Sequence, residues 1–138
     1  MSPSGYPPAT VADDESLARF IFRSKDVRVD STLKPDPFIP YPHPDLSVTR
    51  HIGLQEGEIW EKVEIIARQR SLPLIGRGDI ATVQFRKHQL TVSAAPVPGN
   101  AYHANVTGWP LEKPAQKHLA QEIGAVARFL ATPNRSAP

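Results

Sequence analysis

Apolar and polar positions follow a strand period in some stretches of this chain and a helix period in others, and the clearest strand is Tyr102-His103-Ala104-Asn105-Val106-Thr107-Gly108. Successive strand side chains point to opposite faces, so Tyr102, Ala104, Val106 and Gly108 share one side and His103, Asn105 and Thr107 the other. Trp109-Pro110 ends the strand, because proline cannot donate to a ladder, and Pro114 has the fixed φ that suits a first helical turn. Leu119, Ile123, Val126 and Leu130 then recur at helical spacing, with Ala115 below and Phe129 beside them, which predicts an amphipathic helix over 113–131. Thr132-Pro133 stops it.

The same periodicity gives strands at 45–51, 81–86 and 90–94, the last two joined by a turn at Lys87-His88-Gln89. In the first of these, Leu46 and Val48 face one way and Ser47, Thr49 and His51 the other. Helical spacing of Ile59, Val63 and Ile66, with Trp60 and Ala67 flanking them, predicts a second long helix over 53–70. Glu56 and Glu58 near its start and Arg68 and Arg70 near its end complement the helix dipole. Asp13 and Asp14 suit the start of a short helix whose buried stripe is Leu17, Phe20 and Ile21. Arg19 and Arg23 lie off that stripe, where solvated charge is preferred to an anion site.

Pro35, Pro37, Pro40, Pro42 and Pro44 make 26–44 an extended arm that Phe38, Ile39 and Tyr41 pack along a sheet edge or present to a partner. Leu74-Ile75-Gly76-Arg77-Gly78-Asp79 has the glycines and the cation of a phosphate loop. It lacks the spacing of the common nucleotide fingerprints, so a turn explains it as well. Together the elements predict an α+β fold, an antiparallel sheet of about four strands with two or three helices packed on one face.

Length and composition narrow the rest. A chain of 138 residues with 40% apolar content suits one core, here expected over 13–132 between a flexible leader (1–12) and tail (133–138). The formal charge of +2 and the absence of a lysine/arginine run make nucleic acid an unlikely partner. Without cysteine the chain has no disulfide, zinc–thiolate site or thiol nucleophile. Neither a signal-peptide pattern nor an apolar run of membrane-spanning length occurs, so no membrane partner is expected and a cytoplasmic location is.

The candidate chemistry is a polar sheet face. If the strands at 45–51 and 102–108 share a sheet, Ser47, Thr49, His51, His103, Asn105 and Thr107 share a side. His51 and His103 could then act as general base and general acid on a nucleotide or phosphodiester, with Arg50 or Arg77 stabilising the developing anion. A solvated sheet face is the blander reading of the same residues, and structural ion pairs are the preferred reading of the arginines. A metal site from His51, His103 and Asp79 is less favoured, since no tight local ligand spacing occurs, and no cofactor is expected.

The order Asp30-x-Thr32-Leu33-Lys34-Pro35-Asp36, Phe38-Ile39-Pro40, Leu46-Ser47-Val48-Thr49-Arg50-His51, Gly76-Arg77, Ala95-Pro96, His103-Ala104-Asn105 and Gly108-Trp109-Pro110 resembles a family of short bacterial proteins over about residues 14–131. The resemblance implies no activity. Where a serine or threonine cap is expected for the second helix, the chain has Gln55. The preferred expectation is therefore a non-catalytic module that binds a partner protein through Phe38, Tyr41, Trp109 and the polar face, with a small phosphorylated ligand also possible. The alternative is a small enzyme using the histidine pair.

Overall fold

The structure is a computed structural model that describes residues 7–133. In chain order the elements are β1 (Ser16–Ile21), 3-10 turns at Ser24–Asp26 and Asp36–Phe38, β2 (Leu46–Arg50), α1 (Glu56–Arg70), β3 (Gly76–Ala81), α2 (Thr82–Arg86), β4 (Thr91–Ala94), β5 (His103–Thr107), α3 (Lys113–Val126) and β6 (Arg128–Ala131). The strands form one open antiparallel sheet of six, in the order β4-β5-β2-β1-β3-β6. The fold is α+β as expected, with more strands than the alternation alone revealed.

The two sheet faces have different covers, which corrects the expectation of helices on one face. Leu17 and Ile21 of β1, Leu46 and Val48 of β2, Ile80 of β3, and Ala104 and Val106 of β5 pack with Phe85 of α2 and Ala120 and Ile123 of α3. Leu33 and Phe38 of the proline arm complete this main core. On the opposite face α1 lays Ile59, Trp60 and Val63 against Phe20 of β1, Leu74 and Leu130 of β6. A strand buried on both faces needs apolar residues at consecutive positions, so its period disappears from the sequence.

That is the reason 16–21 reads as a helix in the sequence and is a strand in the fold. Leu17, Phe20 and Ile21 fit a helical stripe, yet in β1 Phe20 points toward α1 while Leu17 and Ile21 point toward the main core. The same ambiguity affects the other end of the chain. The α3 helix stops at Val126, Ala127 takes extended angles, and residues 128–131 form an edge strand with Phe129 and Leu130 on opposite faces. Val126, expected in the buried stripe, is exposed.

The glycine-rich segment is neither a phosphate loop nor a turn; it is β3, between β1 and β6. Glycine is a poor strand former in general, but packing requires it here. A Cβ on Gly76 would overlap the Leu130 carbonyl oxygen and approach the Phe129 ring at 2.7 Å, and one on Gly78 would sit 2.7 Å from Leu33 Cδ1. Residues 82–86, expected to be a strand, form the short helix α2 instead, where the Thr82 hydroxyl donates to the Glu15 carbonyl at 2.9 Å. The β2, β4 and β5 strands and the α1 helix form where the periodicity places them. At the start of α1, the Gln55 backbone N–H donates to Glu58 Oε1 at 2.8 Å, the half of a capping box that the N3 glutamate supplies, with Gln55 itself in the N-cap place where a serine was expected.

The expected leader is partly built into the domain. Val11 is 3% exposed and belongs to the main core, and the Pro8 and Thr10 carbonyls accept hydrogen bonds from Arg50. The tail beyond Pro133 and the first residues of the leader lie outside the described residues. Among the described residues no helix is long and apolar enough to cross a membrane.

Candidate functional site

Register places the expected polar residues on one side of the sheet. Ser47 pairs with Asn105 and Thr49 with His103, and Thr107 lies across from Thr91 at the β4 end. The row continues through Ala18 to Asp79, so Asp79 and Arg77 belong to this face as well. The α1 helix lies over part of the face, and its two halves cover regions of different character.

Under the first turns of α1 lies a charge network. Arg77 is almost fully buried and donates to Asp79 Oδ1 at 3.0 Å and to Glu56 Oε1 at 3.0 Å, with its guanidinium carbon 4.7 Å from the centre of the Trp60 ring. The paired carboxylates hold Arg77 in its charged form, raising its pKa although burial acts to lower it. Burial acts to raise Asp79, but His51 and Arg77 lower it below the usual carboxylate range. His51 Nε2 lies 3.3 Å from the same carboxylate. This is a structural bracket that clamps α1 onto β3, with both carboxylates committed to cations.

The two histidines have separate partners. His51 belongs to the Asp79 network, whereas His103 Nδ1 is 2.9 Å from the Ala95 carbonyl at the β4 side of the sheet. The cavity that His103 lines is not lined by His51. Among the described residues no three histidine or acidic side chains are placed to hold a metal ion.

Several other expected site residues are structural. Arg50 is buried in a two-pronged ion pair with Glu15, at 2.8 and 2.9 Å. Phe38 is fully buried in the main core. Trp109 is also buried, its indole N–H donating to the Val106 carbonyl at 2.9 Å after the left-handed turn at Gly108. Of the arm's aromatic residues, Tyr41 is the exposed one, with the Lys113 ammonium 5.8 Å from its ring centre.

The second region of the face, beyond the C-terminal half of α1, is a groove. A cavity of about 210 Å³ has Ala18, Phe20, Thr49 and His103 as its floor and Ile66, Gln69 and Arg70 of α1 as its roof, closed at one side by the loop Val97–Asn100. A neighbouring cavity of about 420 Å³ is lined by Pro40, His43, Pro44, Asp45 and Asn105. Arg19, Ser47 and Arg70 line both.

Arg19 comes to this junction because the ladder between β1 and β2 lapses. The strands pair through Leu17–Arg50 and Ala18–Thr49, with the His51 amide donating to the Ser16 carbonyl at 3.0 Å, and no pair follows Ala18. Beyond that point the Arg19 guanidinium enters the gap, donating to the Ser47 carbonyl at 3.0 Å and to the Pro37 carbonyl at 2.7 Å. It is half-buried, and among the described residues no carboxylate pairs with it. Burial, and secondarily the charge of Arg70, depress its pKa to about 10. Arg70, at the end of α1 before the left-handed cap Ser71, is exposed and likewise without a carboxylate among the described residues.

Set against protein-family models, curated proteins and solved structures, the chain matches none of them. Its function therefore has to be read from this geometry.

Sequence patterning brings Ser47, Thr49, His103 and Asn105 to this region correctly but makes Arg19 a helix surface charge and Arg70 a dipole complement. Arg19 does carry a signal: it is a lone cation in the apolar run Leu17-Ala18-Arg19-Phe20-Ile21-Phe22. As a central strand, that run forces the arginine partly inside, where a charge requires polar partners.

Proposed function

We propose that the protein is a non-catalytic binding module whose site is the groove between α1 and the β1–β2–β5 part of the sheet, and that its ligand is a small anion. The observation that carries this reading is the half-buried Arg19 guanidinium. It and Arg70 line the same two cavities, and among the described residues neither forms an ion pair, although the Asp45 carboxylate lines the larger cavity with them. The charge of Arg70 acts on Arg19, lowering its pKa, and an anion bound beside both would relieve the repulsion and the desolvation of Arg19. Arginine suits the role because its planar fork matches carboxylate and phosphate oxygens.

Docking of a protein through the proline arm has less support, since Phe38 belongs to the core and Tyr41 alone is presented. The histidine-pair reading has less again, as His51 and His103 are engaged with different groups.

The test is thermal unfolding of the full chain in phosphate against chloride at matched ionic strength. A ligand that binds only the folded state stabilises it by about 2.7 kcal/mol at a hundredfold excess over Kd, so a saturable rise in Tm is expected. Arg70→Gln, at an exposed position with no carboxylate partner, should remove the rise without lowering the starting Tm. A Tm that climbs linearly with phosphate concentration, without saturating and equally in the variant, would refute the reading.

A further inference from the structure

The smaller cavity is unlike its neighbour in ways that specify more of the ligand, and the specification rests on the groove being an anion site. Its walls include Phe20, Phe22, Ile66 and Val97, and no acidic residue lines it. The polar side chains on its floor are largely used within the protein. Asn100 Nδ2 donates to Thr49 Oγ1 at 3.0 Å, the Asn100 side-chain oxygen accepts from the Tyr102 amide at 3.0 Å, and His103 Nδ1 is taken by the Ala95 carbonyl. A space whose lining is as much apolar as polar, with several of its polar side chains already satisfied, offers an apolar side against which a ring can pack.

Size narrows the occupant further. An enclosed apolar cavity of about 150 Å³ admits benzene, so this open groove of about 210 Å³ has room for a six-membered ring. Arg19 and Arg70 line both this space and the second, more polar cavity. An anion bound there would project its substituent into one cavity or the other, and the Asp45 carboxylate in the lining of the second disfavours a further negative group there.

We propose that the ligand is an organic anion in which a carboxylate or phosphate pairs with Arg19 and Arg70 and a single aromatic ring, or an aliphatic group of that size, occupies the cavity between α1 and the sheet. Phe20 and Phe22 supply ring contacts, and Ile66 closes the space from α1.

Calorimetric titration of the full chain with inorganic phosphate, phenyl phosphate and phenylacetate tests this. Phenyl phosphate should bind at least about tenfold more tightly than phosphate, an increment within reach of burying one ring, and phenylacetate should compete with it. Val97 is 42% exposed on the closing loop and outside the main core, so Val97→Trp can fill the cavity from the loop side. That variant should bring phenyl phosphate down to the affinity of phosphate and leave phosphate itself unchanged. Equal affinity for phosphate and phenyl phosphate in the parent protein would overturn the ring site while sparing the anion site. Binding of neither would overturn the anion reading, and this inference with it.

Discussion

Arg50 and Glu15 form a two-pronged ion pair inside the domain, Nε to Oε1 at 2.8 Å and Nη2 to Oε2 at 2.9 Å. The remaining guanidinium donors reach the carbonyls of Pro8, at 2.6 Å, and Thr10, at 3.3 Å. One buried side chain of β2 thus fixes the path of the chain that leads into β1.

Breaking that pair should be severe. Removing one member of a buried pair leaves an uncompensated charge at a cost of about 3–5 kcal/mol. Glu15→Ala is expected to lower stability by that amount in urea unfolding, and the double variant Glu15→Leu/Arg50→Met to recover much of it. A loss below about 1 kcal/mol for Glu15→Ala would mean that solvent reaches the pair.

Acid should destabilise the fold through two carboxylates. Burial acts to raise Glu15, but hydrogen bonds from Arg50 and the Ala12 amide bring it below its ordinary value, and Asp79 is lowered in the same sense by His51 and Arg77. An acid whose pKa is lower when folded contributes stability that is complete above the unfolded value, about 4, and is lost as pH falls through the folded value. Tm measured from pH 7 downward should hold level to about pH 5 and then fall. Asp26 works in the opposite sense, since burial raises it, so Asp26→Asn should increase stability at pH 7. A profile without an acid limb would show that the Arg50 and Arg77 pairs do not persist in solution.

Glycines in this chain should respond to alanine in opposite directions. Gly78→Ala drives a methyl into Leu33 and Phe38 and is expected to cost about 1–3 kcal/mol. In contrast, a Cβ at Gly57 of α1 meets nothing within 4 Å, so Gly57→Ala should stabilise by up to about 1 kcal/mol through helix propensity. Chemical denaturation of the two variants side by side checks the packing of β3, and equal effects would contradict it.

Truncating the arm's aromatic residues separates support from presentation. Phe38→Ala should cost about 3–5 kcal/mol, as for other fully buried rings. Tyr41→Ala should change stability by less than about 0.5 kcal/mol, because the ring is exposed. If Tyr41→Ala proves the more damaging in urea unfolding, the arm does not pack as described.

Local pattern determined those elements with one face toward a core and one toward water. β2, β5 and the stripe of α1 were legible because Leu46/Val48, Ala104/Val106 and Ile59/Val63 alternate with polar neighbours at the period of their backbone. The α+β class followed from the same signal, as did the side of each strand on which Ser47, Thr49, His103 and Asn105 lie; that the two sides form one face depends on the β2–β5 pairing.

Tertiary structure decided the rest, wherever both sides of an element are covered. β1 has α1 on one side and the main core on the other, so its run of apolar residues fits either period, and only pairing with β2 and β3 selects the strand. Gly76 and Gly78 carry no periodic signal at all; their place in β3 is set by the side chains and backbone that crowd against them. The meeting of Arg19 and Arg70 was hidden for a related reason. It depends on where the β1–β2 ladder lapses and on which face α1 covers, and a charge in a sequence does not show whether a carboxylate will meet it after folding.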